Sequence, residues 1–477
     1  MDSKTHQKLS FNSLIFHVKM AQSSQQVKII EVCRIAPPPE LPGSSAPKSL
    51  PLTFFDILWL RLPPPQSIFF YEISSPSHEL FYDSIIPKLK HSLSLTLHHF
   101  LPLAGNLTWP QNSHKPILNY VDGDGVSLTI AESNSDFYHL SGNDFRKATD
   151  YHPLLSYLEI SKERATVMSL QVTVFPNCGI SIGFTSHHAV LDGRTFATFV
   201  KFWARTCKSG AESPPWIPEL IPFYDRSVIE DPCGAEEIYL NGWLNHGGPN
   251  NRSIMPLEQQ VPPNSVRGTF ELSREQIEKL KKSMFVNIID EAKHGVHVST
   301  FSVICGYTWV CLAKALKIKE KEAMLVFSAD CRSRLIPSLP TTYFGNCLEG
   351  RSLVVETQVL LGEYGVSFAV EAIGKAVKGL EDGVVNGGLE TWISMTRGMQ
   401  SNQRTFSVAS SPRLELYNTD FGWGNPRKSE VISIDRTGAI CLSDSRSGNG
   451  GIEIGVVMKM EEMETFASLF SQAVEML

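Results

Sequence analysis

No stretch of this 477-residue chain strings together the roughly eighteen apolar residues that a bilayer crossing needs, so the sequence offers no membrane span. Its nine cysteines are odd in number, scattered, and never form a C-x-x-C pair. That excludes a zinc ribbon or a disulfide framework and fits free thiols in a reducing compartment, the cytosol. Positive charge is in the minority: 43 Lys and Arg stand against 49 Asp and Glu, for a formal net charge of −6. With no basic tract either, nucleic acid is not an expected partner. No internal repeat is visible. Asp122-Gly123-Asp124-Gly125 lacks the spacing and closing Glu of a calcium loop, so no metal is expected there. Residues 1–19 carry scattered charges and one short apolar patch, Leu14-Ile15-Phe16, without a small-residue cleavage site. They read as a disordered, dispensable extension and not as a signal peptide.

What is present suits a globular protein of two domains: hydrophobic residues make up 42% and charged residues 19% of a chain two to three times the usual domain length. The most informative stretch runs from Gln171 to Ala204. Gln171–Phe175 and Ile180–Thr185 alternate in polarity around Pro176-Asn177-Cys178-Gly179, which predicts a β-hairpin. Apolar Phe196, Phe199, Val200 and Trp203 follow at helical spacing. Between strand and helix lies Ser186-His187-His188-Ala189-Val190-Leu191-Asp192-Gly193, an H-x-x-x-D pattern. A neutral imidazole at His188 has the right pKa to take a proton from an attacking alcohol. Asp192 either orients the ring or pins the loop to a cation elsewhere. A serine-hydrolase reading competes here, since Gly179-Ile180-Ser181-Ile182-Gly183 matches G-x-S-x-G. That elbow needs its serine at a sharp strand-to-helix turn, whereas Ser181 falls inside an alternating strand.

Far downstream, Asp420-Phe421-Gly422-Trp423-Gly424 places two glycines around a tryptophan and is followed by Asn425-Pro426, a tight turn. HHAVLDG together with DFGWG resembles the BAHD acyltransferases, a plant family of CoA-dependent acyl-transfer enzymes. Pro-Leu-Ala-Gly at residues 102–105 is similar to a turn of that family, and Tyr343-Phe344-Gly345-Asn346-Cys347 is similar to the motif of its malonyl-transferring clade, which acylates anthocyanins and phenolic glucosides. The likeness runs from about Met20 to Leu477.

The resemblance implies an α/β fold of mixed sheets and helices, in two domains like those of chloramphenicol acetyltransferase, with a channel between them. The domains are expected at 20–207 and 251–477, joined by a crossover at 208–250 that is rich in Pro, Gly and Ser. Part of about 420–446 is expected to pack into the first domain. The implied reaction moves a malonyl group from malonyl-CoA, a co-substrate and not a bound cofactor, to a hydroxyl of a glycosylated phenolic. His188 is the general base, and no acyl-enzyme forms. Acetyl- or hydroxycinnamoyl-CoA is the alternative donor, and a catalytically silent relative is the alternative outside enzymes. Asp192 takes a structural role by pairing with an arginine of the D-x-R-x-R type, Arg332 ahead of Arg334. Trp423, or else Ser410 or Ser411, is a candidate oxyanion donor. Asp420, Phe421, Gly422 and Gly424 shape the channel. Arg194 is a candidate partner for the malonyl carboxylate, which needs a cation once buried. Tyr343, Asn346 and Cys347 are candidate acyl- or acceptor-binding residues. A monomer is expected.

Elsewhere, Thr53 is a candidate N-cap for Phe54-Phe55-Asp56, and Leu325–Asp330 reads as a strand. Helices are predicted over 84–99, 273–282, 301–315 and 362–380, and at the C-terminus around Met463, Phe466, Phe470 and Val474. Pro116–Tyr120 and Val126–Ile130 are predicted to form a hairpin across Asp122-Gly123, and 431–435, 439–443 and 452–457 to be strands.

Overall fold

The computed structural model of the protein describes residues 27–39, 45–74, 77–210, 217–287, 298–380 and 403–475. Residues 1–19, read above as an extension, lie outside them. The predicted hairpin forms Met168–Phe175 and Gly179–Ser186, with Asn177 at positive φ (63°) in its turn. Both strands are buried along their whole length, so the alternation in the sequence separates the two covered faces of a central pair. In spatial order the sheet around them runs Val27–Ile35, Val126–Ser133, Met168–Phe175, Gly179–Ser186, Gln66–Glu72, Lys428–Val431. The Gly193–Ser209 helix covers one face, with Phe199 and Trp203 fully buried.

A second sheet runs Leu348–Glu356, Glu322–Asp330, Gln403–Ala409, Ile440–Asp444, Ile452–Lys459, Ser265–Leu272, Arg146–Lys147. The Thr300–Ala315 helix is apolar nearly all round and lies against it, capped by Ser299, which accepts from Ser302 N at 3.0 Å. Met463, Phe466 and Phe470 of the Met460–Glu475 helix close the same core. The two sheets exchange strands. Lys428–Val431 from late in the chain pairs with Gln66–Glu72, and Arg146–Lys147 from early in the chain pairs with Ser265–Leu272.

Two expectations need correction. Ile117–Asn119 pairs with Ser49–Pro51 and Asn106–Thr108 in a small third sheet, while Val126–Ser133 joins the first sheet. No hairpin forms across Asp122-Gly123, because Asp124 turns back to Asn106 Nδ2 (2.9 Å) and Val121 N (3.0 Å) and splits the two runs. The strand expected at 431–435 stops at Val431 and gives way to a helical turn, Ile434–Thr437, which Gly438 ends at φ 64°. The 208–250 crossover contains an ordered helix, Ala235–Asn245. Its exit is held by buried Arg61, which donates to the carbonyls of Trp243, Asn251 and Ser253.

Candidate active site

The second strand of the hairpin ends at Ser186, and the chain turns through His187–Leu191 before entering the long helix at Gly193. Asp192 is that helix's N-cap. Its backbone is extended and its Oδ1 accepts from Thr195 N at 2.9 Å, satisfying a first-turn donor that no helical carbonyl can reach. The same carboxylate takes a bidentate pair from Arg332 (2.9 and 3.1 Å) and a further bond from Cys347 N at 3.1 Å. Burial works against its charge, but Arg332 and these N–H donors outweigh burial and hold the carboxyl below its ordinary pKa. None of these four bonds is made to His188, and what they fasten is the loop that carries it.

His188 is half-buried, and its Nδ1 is sealed from solvent with no hydrogen-bond partner among the described residues. The indole of Trp59 stacks on the ring, centroids 4.3 Å apart and planes 14° from parallel. Burial lowers the histidine's pKa to about 4, against the opposite pull of its own carbonyl and of Asp192. The imidazole is thus neutral at pH 7, as a general base must be. His187 has a different task. Fully buried, it accepts from Ala189 N at Nδ1 (3.3 Å) and faces the Ile254 carbonyl with Nε2 (3.5 Å), fastening the turn to the end of the crossover.

Residues 343–347 form the clip beneath this turn. The carbonyls of Tyr343 and Gly345 accept from Arg332, and Asn346 Nδ2 donates to the His188 carbonyl at 3.1 Å. Asn346 also donates from N and Nδ2 to Asp56 Oδ1, at 2.9 and 3.1 Å, and Asp56 is paired with Arg226 at 2.8 Å. Tyr343 lies under two guanidinium groups, those of Arg226 and Arg332. Tyr343, Asn346 and Cys347 are each fully buried, and their bonds hold the histidine turn. Asp56, Arg226, Thr195 and Trp59 belong to the site and were missed. The only local signal was the turn at Thr53, where Asp56 accepts from Thr53 N at 3.0 Å. Arg226 lies in the crossover and reaches Asp56 across 170 positions.

DFGWG is elsewhere. Asp420 accepts from Gly422 N and Gly424 N (2.7 and 2.9 Å), and both glycines have positive φ, 114° and 101°, a conformation that strains any other residue. Asp420 also pairs with Lys208 at 2.6 Å, and Phe421 packs edge-on against Trp203. These are the C-terminal parts of the helix that Asp192 begins, about 16 Å along its axis at Trp203 and about 24 Å at Lys208. Trp423 stacks on Phe421 and meets Tyr71 edge-on. The indole expected to serve as oxyanion donor thus packs with Phe421 and Tyr71, beside the C-terminal part of that helix. The turn after Gln403–Ala409 does lie at the right end: the Arg413 carbonyl accepts from Arg194 at 3.4 Å, and Leu414 would touch a Cβ on Gly193 at 3.0 Å. On that turn Ser410 sits at φ 61°, an uncommon conformation for serine, and Ser411 accepts from Arg413 N with its own hydroxyl. Arg194 is part-exposed and 3.7 Å from Asp330. Ser181 is fully buried in its strand, and its hydroxyl has no partner among the described residues, so none of them is placed to activate it as a base.

Residues 25–473 match the Transferase family, and the chain belongs to that family, the BAHD acyltransferases. It is an acyl-CoA-dependent acyltransferase. The chain is 40% identical, over 96% of its length and 100% of the relative's, to malonyl-CoA:anthocyanidin 5-O-glucoside-6''-O-malonyltransferase of Arabidopsis thaliana. Phenolic glucoside malonyltransferase 1 of the same plant is 38% identical, with 95% and 99% covered, and agmatine coumaroyltransferase is also 38% identical, with 93% and 98% covered. Among solved structures, vinorine synthase shares the fold with a TM-score of 0.69 at 21% identity, covering 94% of this chain and 98% of its own. No helix among the described residues is long and apolar enough to cross a membrane.

Proposed function

We propose that the protein transfers the malonyl group of malonyl-CoA to a sugar hydroxyl of a phenolic or flavonoid glucoside, with His188 as general base. One observation carries the chemistry: a neutral imidazole, fixed by stacking, on a turn that Asp192, Arg332 and Asn346 hold rigid. Because Nδ1 is sealed, Nε2 is the nitrogen that takes the hydroxyl proton. The oxygen bonds to the thioester carbonyl carbon, the C–S bond breaks, and the departing CoA thiolate receives the proton from the imidazolium. Ser410 is the favoured donor to the tetrahedral oxyanion, being on the turn that abuts the helix start. Arg194 would exchange its long contact with Asp330 for the malonyl carboxylate. In this reading the substrates reach His188 from opposite mouths of a channel between the two halves, and the enzyme is a cytosolic monomer.

The two malonyltransferase relatives favour malonyl-CoA, and the coumaroyltransferase relative favours a hydroxycinnamoyl donor as the second reading. A CoA-release assay separates them by offering malonyl-, acetyl- and coumaroyl-CoA against a panel of phenolic and flavonoid glucosides. Malonyl preference is expected, with a loss of roughly 10²–10⁴-fold in His188→Ala. Coumaroyl preference would move the assignment to the second reading, and acceptor-independent hydrolysis would reopen the hydrolase one. Arg194→Ala should lower kcat/KM for malonyl-CoA by about ten-fold more than for acetyl-CoA. Equal losses would remove Arg194 from carboxylate recognition.

A further inference from the structure

Trp59 belongs to none of the motifs, yet it is the residue in face-to-face contact with His188. Its indole Nε1 is buried and has no hydrogen-bond partner among the described residues, so no polar contact of the side chain accounts for where the ring sits. The backbone does. Asp56 closes the turn that Thr53 begins, and Trp59 N donates to the Asp56 carbonyl at 3.1 Å. The Asp56 carboxylate, held by Arg226, accepts from Asn346, whose amide also donates to the His188 carbonyl. Indole and imidazole are thus both fastened to one buried residue, Asp56, the first through its backbone carbonyl and the second through its carboxylate and Asn346, which explains a parallel stack between residues 129 positions apart in a 477-residue chain.

We propose that Trp59 is a positioning residue that presents its π face to His188 and stabilises the imidazolium formed when the acceptor loses its proton. A neutral imidazole gains little from an indole face, whereas a cation over that face is attracted by the ring quadrupole, more strongly when both are desolvated. The contact therefore strengthens between ground state and transition state, which is the condition for raising kcat and not merely binding. Other charges near the ring are already committed: Asp192 to Arg332, Asp56 to Arg226. His187, next in sequence, is buried and neutral, its pKa lowered to about 4 by burial. Trp59 is then the neighbour whose ring face meets the new charge directly, adding to the pull of Asp192.

The inference rests on His188 being the base, and the test keeps the two apart. Trp59 is replaced through nonsense suppression by tryptophans carrying one, two and four ring fluorines, which drain the π face while keeping the indole shape. Log kcat at pH 7.5 should fall in step with fluorination, by about ten-fold over the series, with KM for both substrates unchanged. Trp59→Phe should retain more activity than Trp59→Leu. A flat fluorine series would overturn the inference, because a steric role is blind to the ring's electrons. Retained activity in His188→Ala would instead overturn the reading on which it rests.

Discussion

The proposed role of His188 as base requires a neutral ring, and burial favours that form by lowering the pKa from 6.5 to about 4. The acid limb of kcat/KM should then be absent at pH 6.5, the curve staying level on acidification and dropping only toward pH 4. A half-point near 6.5 in a pH-rate profile would show a solvated ring. Asp192 and Arg332 are both buried, so Arg332→Met leaves an uncompensated carboxylate. That should cost about 3–5 kcal/mol in urea unfolding, and the Asp192→Leu/Arg332→Met double variant should recover part of the loss. These residues were legible because their signals are local: a strand end, an aspartate four positions after the histidine, two arginines after a strand. Asp56, Trp59 and Arg226 were not. A buried carboxylate that organises a site from positions more than a hundred residues away leaves no periodicity or spacing to read.

Among elements, the Gly193–Ser209 helix decides what DFGWG can do. Its apolar spacing from Phe196 to Trp203 was readable, and its N-cap was not. The sequence did not reveal that the two motifs sit at its opposite ends, because two motifs that characterise one family carry no distance between them. The 17-residue helix supplies that distance. Gly422 at φ 114° makes the turn that lets Asp420 collect Gly422 N, Gly424 N and Lys208. Gly422→Ala should therefore destabilise by about 1–3 kcal/mol, seen as a lower Tm, with kcat per folded molecule unchanged. A large fall in kcat at unchanged Tm would bring the motif back into the chemistry. The misread hairpin at Asp122 has the same origin: a D-G turn signal is local, whereas the pull of Asn106 on Asp124 is not.

At the scale of the whole molecule, the exchanged strands bring charge into the junction of the two sheets. Glu430, on the late strand given to the first sheet, pairs with Arg146 on the early strand given to the second and with Arg267 beside it. Arg267 also pairs with Asp435, and Lys428 with Glu453. Counted together, three cations (Arg146, Arg267, Lys428) face three anions (Glu430, Asp435, Glu453), all buried, so the charge balances without solvent. Burial alone would raise the pKa of Glu430. Arg146, Arg267 and Lys428 outweigh it and bring the value down from 4.5 to about 2. A carboxylate depressed in this way contributes stability that is complete above pH 4.5 and fades as pH falls toward about 2. Glu430→Gln should thus be less stable than wild type by about 3–5 kcal/mol at pH 7, with the gap narrowing only below pH 4.5. Because the carboxylate ties strands from both ends of the chain, its loss should also uncouple the sheets. Hydrogen exchange under mild urea should show Gly179–Ser186 and Ile452–Lys459 opening together in wild type and separately in Glu430→Gln. Joint opening in the variant would mean that the apolar cores alone hold the halves together, leaving the buried charges to fix the register of the exchanged strands.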